Sequence, residues 1–238
     1  MPYRHPAIAL AVLLSILTAS LLSGRAEARE ERVVAIADRE MRIALAGDDC
    51  FFDRDHPQDR GVLDQLAAAA GGEFVVLLAY TGCRTLDGRR AGGPPTLARL
   101  GYVMIAETHL EPVFAFDQPA LAAAISGALK DRAVKDYQAD VARLARDLEA
   151  AWKTLAPGGR KELGIVHRDR YGPVLATVLA VPATAGRKAA PRVMLHQSLM
   201  VSGKVLSFVA ARDYQNVETI FDAYGDLSAV IDATASRN

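Results

Sequence analysis

Two runs near the C-terminus, Val193–Met200 and Val205–Ala211, flank Val201-Ser202-Gly203-Lys204 and constrain the fold more than any other stretch. Strand alternation sends Val193, Leu195 and Leu199 to one face and Met194 and Met200 to the other. The Ser-Gly link is a tight-turn signal, so the two runs read as a hairpin. A hairpin that is apolar on both faces needs cover on both sides. The expected class is therefore α+β, an antiparallel sheet of about six strands packed between helices.

The remaining segments supply those strands and helices. Met41–Ala46 reads as a first long strand, preceded by Val33–Ile36, and Leu100–Glu107 as another. Glu73–Tyr80 is almost continuously apolar, the pattern of a strand buried on both faces. Pro57 suits the first position of a helix that runs to about Ala70, with Asp55 or His56 as its cap. Asp117 caps a long helical stretch whose apolar residues, Leu121, Ile125, Leu129, Tyr137, Val141, Leu144, Leu148, Trp152 and Leu155, recur at helical spacing. Ser126-Gly127 is the expected place for a bend or split, and Pro157-Gly158-Gly159 the stop. Leu163–Asp169 and Val174–Val181 pair around Arg170-Tyr171-Gly172-Pro173, and Asn216 caps a last helix with the stripe Val217, Ile220, Tyr224, Leu227 and Ile231.

The N-terminus carries an address. Arg4 precedes the unbroken apolar-to-small run Ala7–Leu22, and Ala26-Glu27-Ala28 supplies an A-x-A site, the three-part pattern of a secretory signal. The run is short of the ~20 residues that a bilayer-spanning helix needs, so cleavage after Ala28 is favoured over a retained anchor. The expectation is a signal peptide over residues 1–28, a single domain over 29–238, and a periplasmic or secreted product with no membrane span. Apolar residues make up 51% of the chain, which excludes a disordered polymer. The 28 basic groups balance 28 acidic ones, which argues against a dedicated nucleic-acid binder. Mixed signs on the outer face of the long helix, from Lys130 and Asp131 to Arg146 and Asp147, describe a solvated surface.

In an oxidising compartment the two cysteines, Cys50 and Cys83, read as a disulfide. Each follows a strand-like segment, MRIALAGDDC and EFVVLLAYTGC, and adjacent strands would bring both to one sheet edge. A thiol-redox role is the alternative and would require a readily reducible pair.

The element order, with the closing MLHQSLMVSGKVLSFVAARDYQNVETIFDAY, resembles the Mog1/PsbP-like fold, which includes secreted bacterial domains of the DcrB-like kind. That resemblance implies a non-enzymatic accessory or binding module, although fold by itself does not settle function.

The familiar catalytic motifs are absent: there is no G-x-S-x-G, H-E-x-x-H, Walker loop or G-x-G-x-x-G. Glu107, His109 and Glu111, if extended, would share a face and form a divalent-metal set, which makes a metal-assisted hydrolase the alternative function. Asp53, Asp55, His56 and Asp59 form a D-x-D run. Pro57 at its fifth position and the missing glycine at the sixth disqualify a calcium loop, leaving capping and first-turn charges. His167 and His196 fall on strands, where partly buried, hydrogen-bonded histidines are expected. The stretch Arg84–Leu97, Gly/Pro-rich and basic with Arg84, Arg89 and Arg90, reads as a long loop pinned by the disulfide. It is the first place to expect an anionic ligand or an acidic surface of an envelope or secreted partner. No cofactor is implied.

Overall fold

The computed structural model describes residues 30–93, 97–183 and 189–238. The expected signal peptide and its cleavage site lie outside the described residues. Two antiparallel sheets organise the rest. β1 (Glu30–Ile36) and β2 (Arg39–Leu45) form a two-stranded sheet. The main sheet has seven strands in the order β3-β4-β5-β9-β8-β7-β6. They are β3 (Asp49–Phe51), β4 (Phe74–Gly82), β5 (Arg99–Ala106), β6 (Arg160–Asp169), β7 (Gly172–Val181), β8 (Ala190–Val201) and β9 (Lys204–Asp213).

The closing hairpin sits at the centre of this sheet, as its double-faced pattern requires. Val201 pairs with Lys204 across the two-residue turn Ser202-Gly203, both at positive φ (48° and 78°), the twist that a tight hairpin favours. On one face Val193, Leu195, Leu199, Leu206 and Phe208 enter the main core. The β1–β2 hairpin, α4 (Val141–Thr154) and α5 (Glu218–Ala235) cover that face, contributing Met41, Ile43 and Leu45, then Leu144 and Leu148, then Leu227, Val230 and Ile231. The other face is covered by α1 (Pro57–Ala70) and α2 (Cys83–Arg90) near β4 and by α3 (Gln118–Asp131) near β7. Two satellite clusters form there, one around Phe52, Val62, Leu63 and Leu86, the other around Leu129, Ile165 and Leu175.

Caps fall where the sequence places them. His56 is the N-cap of α1 with Pro57 behind it, and the Asp117 carboxylate accepts from Ala120 N–H at 3.0 Å. The Asn216 side chain accepts from Thr219 N–H at 3.3 Å at the head of α5.

The expected long helix is two helices, divided at 132–140 and not at Ser126-Gly127. The cause is topological. α3 lies on one face of the sheet and α4 on the other, so the chain must round the sheet edge between them. There it bonds to β6: Tyr137 N–H donates to Ile165 C=O at 2.8 Å and Ile165 N–H to Lys135 C=O at 2.8 Å, a parallel bridge. The crossover covers an edge strand that would otherwise expose unpaired backbone. Gly164 permits the approach, since a Cβ there would lie 2.2 Å from the Lys135 oxygen, at φ +147°.

The expectation for Glu73–Tyr80 holds for half its length. β3 pairs only with Tyr80–Gly82, so the start of β4 has no outer strand among the described residues and Val75 is exposed.

Candidate functional site

β3 is short, and antiparallel pairing sets Asp49 opposite Gly82 and Cys50 opposite Thr81. Cys83 is the next residue after β4 and the first of α2, which brings the two cysteine Cα atoms to 4.8 Å and closes the Cys50–Cys83 disulfide. Cys83 N–H donates to Asp48 C=O at 2.7 Å, tying the head of α2 to the residue before β3. Beside this bond lies an open cleft of about 530 Å³ lined by Asp48, Gly82, Cys83, Arg84, Asp87 and Arg99.

Behind the cleft is a charge network that sequence reasoning missed, because its members come from three strands and a helix. Arg99 reaches Asp49 at 2.5 Å and Asp226 at 2.9 Å, and Arg212 reaches Asp226 at 2.7 Å and Asp222 at 3.4 Å. Asp49 is almost fully buried, and its Oδ1 has no hydrogen-bond partner among the described residues. Burial pushes its carboxyl pKa up, with the Arg99 guanidinium opposing. Tyr80 is also buried with an unpartnered hydroxyl, and burial drives its phenol upward.

The expected binding stretch divides on inspection. Its first part, Cys83–Arg90, is helix rather than loop, because Leu86 buries itself against Val62 and Leu63 of α1 and needs a helical face to do so. Pro94-Pro95-Thr96 lie outside the described residues. Arg90 is committed to the fold: it reaches the fully buried Asp59 at 2.5 Å through Nη2 and 3.1 Å through Nε. Arg89 donates to Gln58 C=O at 3.2 Å. Arg84 alone of the three lines the cleft, exposed and with no ion pair among the described residues.

Glu107, His109 and Glu111 are not brought together. The expected extended segment is a 3-10 turn at Glu107–His109, where spacing by two no longer shares a face. The His109 ring instead packs edge-on to Phe114 at 5.0 Å. Leu110, Glu111 and Pro112 present their carbonyls to one ammonium, that of the buried Lys204, at 2.6, 3.1 and 3.0 Å. Among the described residues no three His, Cys, Asp or Glu side chains gather as a metal set.

The D-x-D run is structural. Asp59 accepts from Asp53 N–H at 2.9 Å as well as from Arg90, and Asp53 Oδ1 accepts from Asp55 N–H at 2.9 Å. The His167 ring packs on Tyr224 at 4.4 Å. His196 is partly buried, as expected of it, with Leu175 and Val209 as its cross-strand neighbours, and no protein group among the described residues hydrogen-bonds to its ring. Burial holds its imidazole pKa below the usual value.

A second hollow, of about 340 Å³, lies beside Lys135, Tyr137 and Asp147, but Lys135 and Tyr137 both already donate to Asp147, at 2.8 and 2.6 Å. The cleft beside the disulfide is the stronger site. No helix among the described residues is long and apolar enough to cross a membrane. Comparisons of the chain with protein-family models, with curated proteins and with solved structures find no match.

Proposed function

We propose that this chain is an exported, non-catalytic accessory domain, of the Mog1/PsbP-like kind, that holds an acidic surface of an envelope or secreted partner against the cleft beside Cys83. The observation that carries this reading is the position of Arg84. It is an exposed guanidinium with no ion pair among the described residues, at the head of α2 and on the rim of an open cleft. Guanidinium forks suit carboxylates, and the first-turn N–H groups of a helix add to the attraction. The disulfide and the lack of a membrane-crossing helix among the described residues agree with life outside the cytoplasm.

Titration with a polyglutamate peptide, followed by amide NMR, tests the reading. Shifts should centre on Gly82–Asp87 and Arg99, weaken with salt and vanish in Arg84→Glu. Shifts scattered over the surface, or unchanged by Arg84→Glu, would sink it. Export is tested separately by intact mass from a periplasmic fraction, which should correspond to a chain beginning at Arg29.

A further inference from the structure

The two sulfurs of the disulfide stand in unequal surroundings. Cys83 lines the cleft, half-buried, as the first residue of α2; Arg84 is the unpaired cation beside it among the described residues, and Arg99, on the same wall, is already paired with Asp49 and Asp226. Asp48 and Asp87 are the opposing charges on the same walls. Cys50, equally half-buried, lies on β3 and packs against the cluster of Phe52, Val62, Leu63 and Leu86. Helix heads and neighbouring guanidiniums stabilise a thiolate over a thiol, whereas apolar packing disfavours one. Cys83 is the sulfur on the cleft wall, so access from the cleft selects it for attack, and its stabilised thiolate makes it the better leaving group in the second exchange step.

We propose that Cys50–Cys83 is a thiol–disulfide exchange site, with Cys83 the sulfur that an external dithiol attacks and Cys50 the sulfur that leaves. A thiolate of the dithiol bonds to Cys83 Sγ as the Cys50–Cys83 bond breaks. The electron pair departs on Cys50, which takes a proton from water. The dithiol's second thiol loses its proton to solvent, attacks its own sulfur in the mixed disulfide and expels Cys83 as the thiolate at the head of α2. The chain gains two electrons and the dithiol becomes a disulfide; run backwards, the same steps oxidise a dithiol substrate. This inference is independent of the acidic-partner reading, since it uses the sulfurs and their surroundings and not the occupancy of the cleft.

The test uses the full chain and dithiothreitol in native buffer, with free thiols alkylated and counted by mass over time. The disulfide should open at no less than roughly one tenth of its rate in guanidinium-unfolded protein. In single-cysteine variants at pH 6, Cys83 in Cys50→Ser should alkylate at least about tenfold faster than Cys50 in Cys83→Ser. A native rate more than about tenfold below the unfolded one would overturn the proposal and leave the bond a structural staple. So would equal alkylation of the two variants. The wild-type rate decides alone if a variant fails to fold.

Discussion

Lys204 donates its ammonium to the Leu110 carbonyl at 2.6 Å from a side chain that is fully buried. The carbonyls of Glu111 and Pro112 complete the shell, so the charge is met by three backbone dipoles and, among the described residues, by no carboxylate. The central hairpin turn is thereby fastened to the loop after β5, and Phe114 N–H returns a bond to Gly203 C=O at 2.8 Å.

Lys204→Met keeps the stem and removes the donor from three carbonyls whose hydrogen bonds to it are partly buried. We expect a loss of about 1–3 kcal/mol in urea unfolding, since hydrogen bonds to a charged donor contribute on the order of 1.5–3 kcal/mol and water can take over part of the bonding at the carbonyls of the exposed Glu111 and Pro112. An effect under about 1 kcal/mol would mean that water reaches all three carbonyls.

Two arginines of α2, Arg90 and Arg84, should separate cleanly. Arg90→Ala strands the fully buried Asp59 carboxylate and should cost about 3–5 kcal/mol. Arg84→Ala removes an exposed side chain with no ion pair among the described residues and should stay within about 0.5 kcal/mol. Thermal unfolding of the two variants side by side checks both, and similar losses would contradict the division of labour.

Tyr80→Phe deletes a buried hydroxyl that has no hydrogen-bond partner among the described residues, while keeping the ring that packs over Gly101. We expect no loss of stability and a gain of up to about 1 kcal/mol, because desolvating an unpaired polar group is a standing cost. A clear loss would show that the hydroxyl is satisfied, for instance by an ordered water beside Asp49.

His196 sets a pH dependence. Burial, weakly opposed by Glu162, holds its folded pKa below the ordinary imidazole value of about 6.5. Below that value the unfolded chain binds a proton that the folded chain refuses, so stability falls as pH drops from about 6.5 toward the folded pKa and is full above it. Urea midpoints at several pH values should show this slope in the wild type and a flatter one in His196→Leu. Parallel slopes would assign the effect to another group.

Much of the fold is legible because it is written in local chemistry. Alternation identifies the β8–β9 hairpin, and Ser202-Gly203 supplies the two positive-φ residues of its turn. Pro57, Asp117 and Asn216 mark helix heads, since capping needs only residues within a few positions of each other. Cys50 and Cys83, the chain's two cysteines, announce their bond by count and by the strand-like segments they follow. The candidate site is half legible. Its disulfide and Arg84 are visible in the chain, whereas the Asp49–Arg99–Asp226–Arg212 network is assembled from residues that no local rule connects.

Tertiary structure decided the rest wherever a residue's partner lies far along the chain. Helical periodicity runs through Leu129 and Tyr137 without a break, yet the helix ends because α3 and α4 cover opposite faces and the chain must round β6 between them. Arg84, Arg89 and Arg90 read as equals in sequence; only the docking of α2 on α1 buries Asp59 beneath Arg90 and turns Arg84 to the cleft. Lys204 reads as a turn residue until the loop after β5 brings three carbonyls to its ammonium. Sequence by itself determined which segments alternate, cap and crosslink, because those choices are made among neighbours. The tertiary structure decided which charges are buried and which cysteine lines the cleft, because desolvation depends on what is packed above a group, and that is set by contacts between distant parts of the chain.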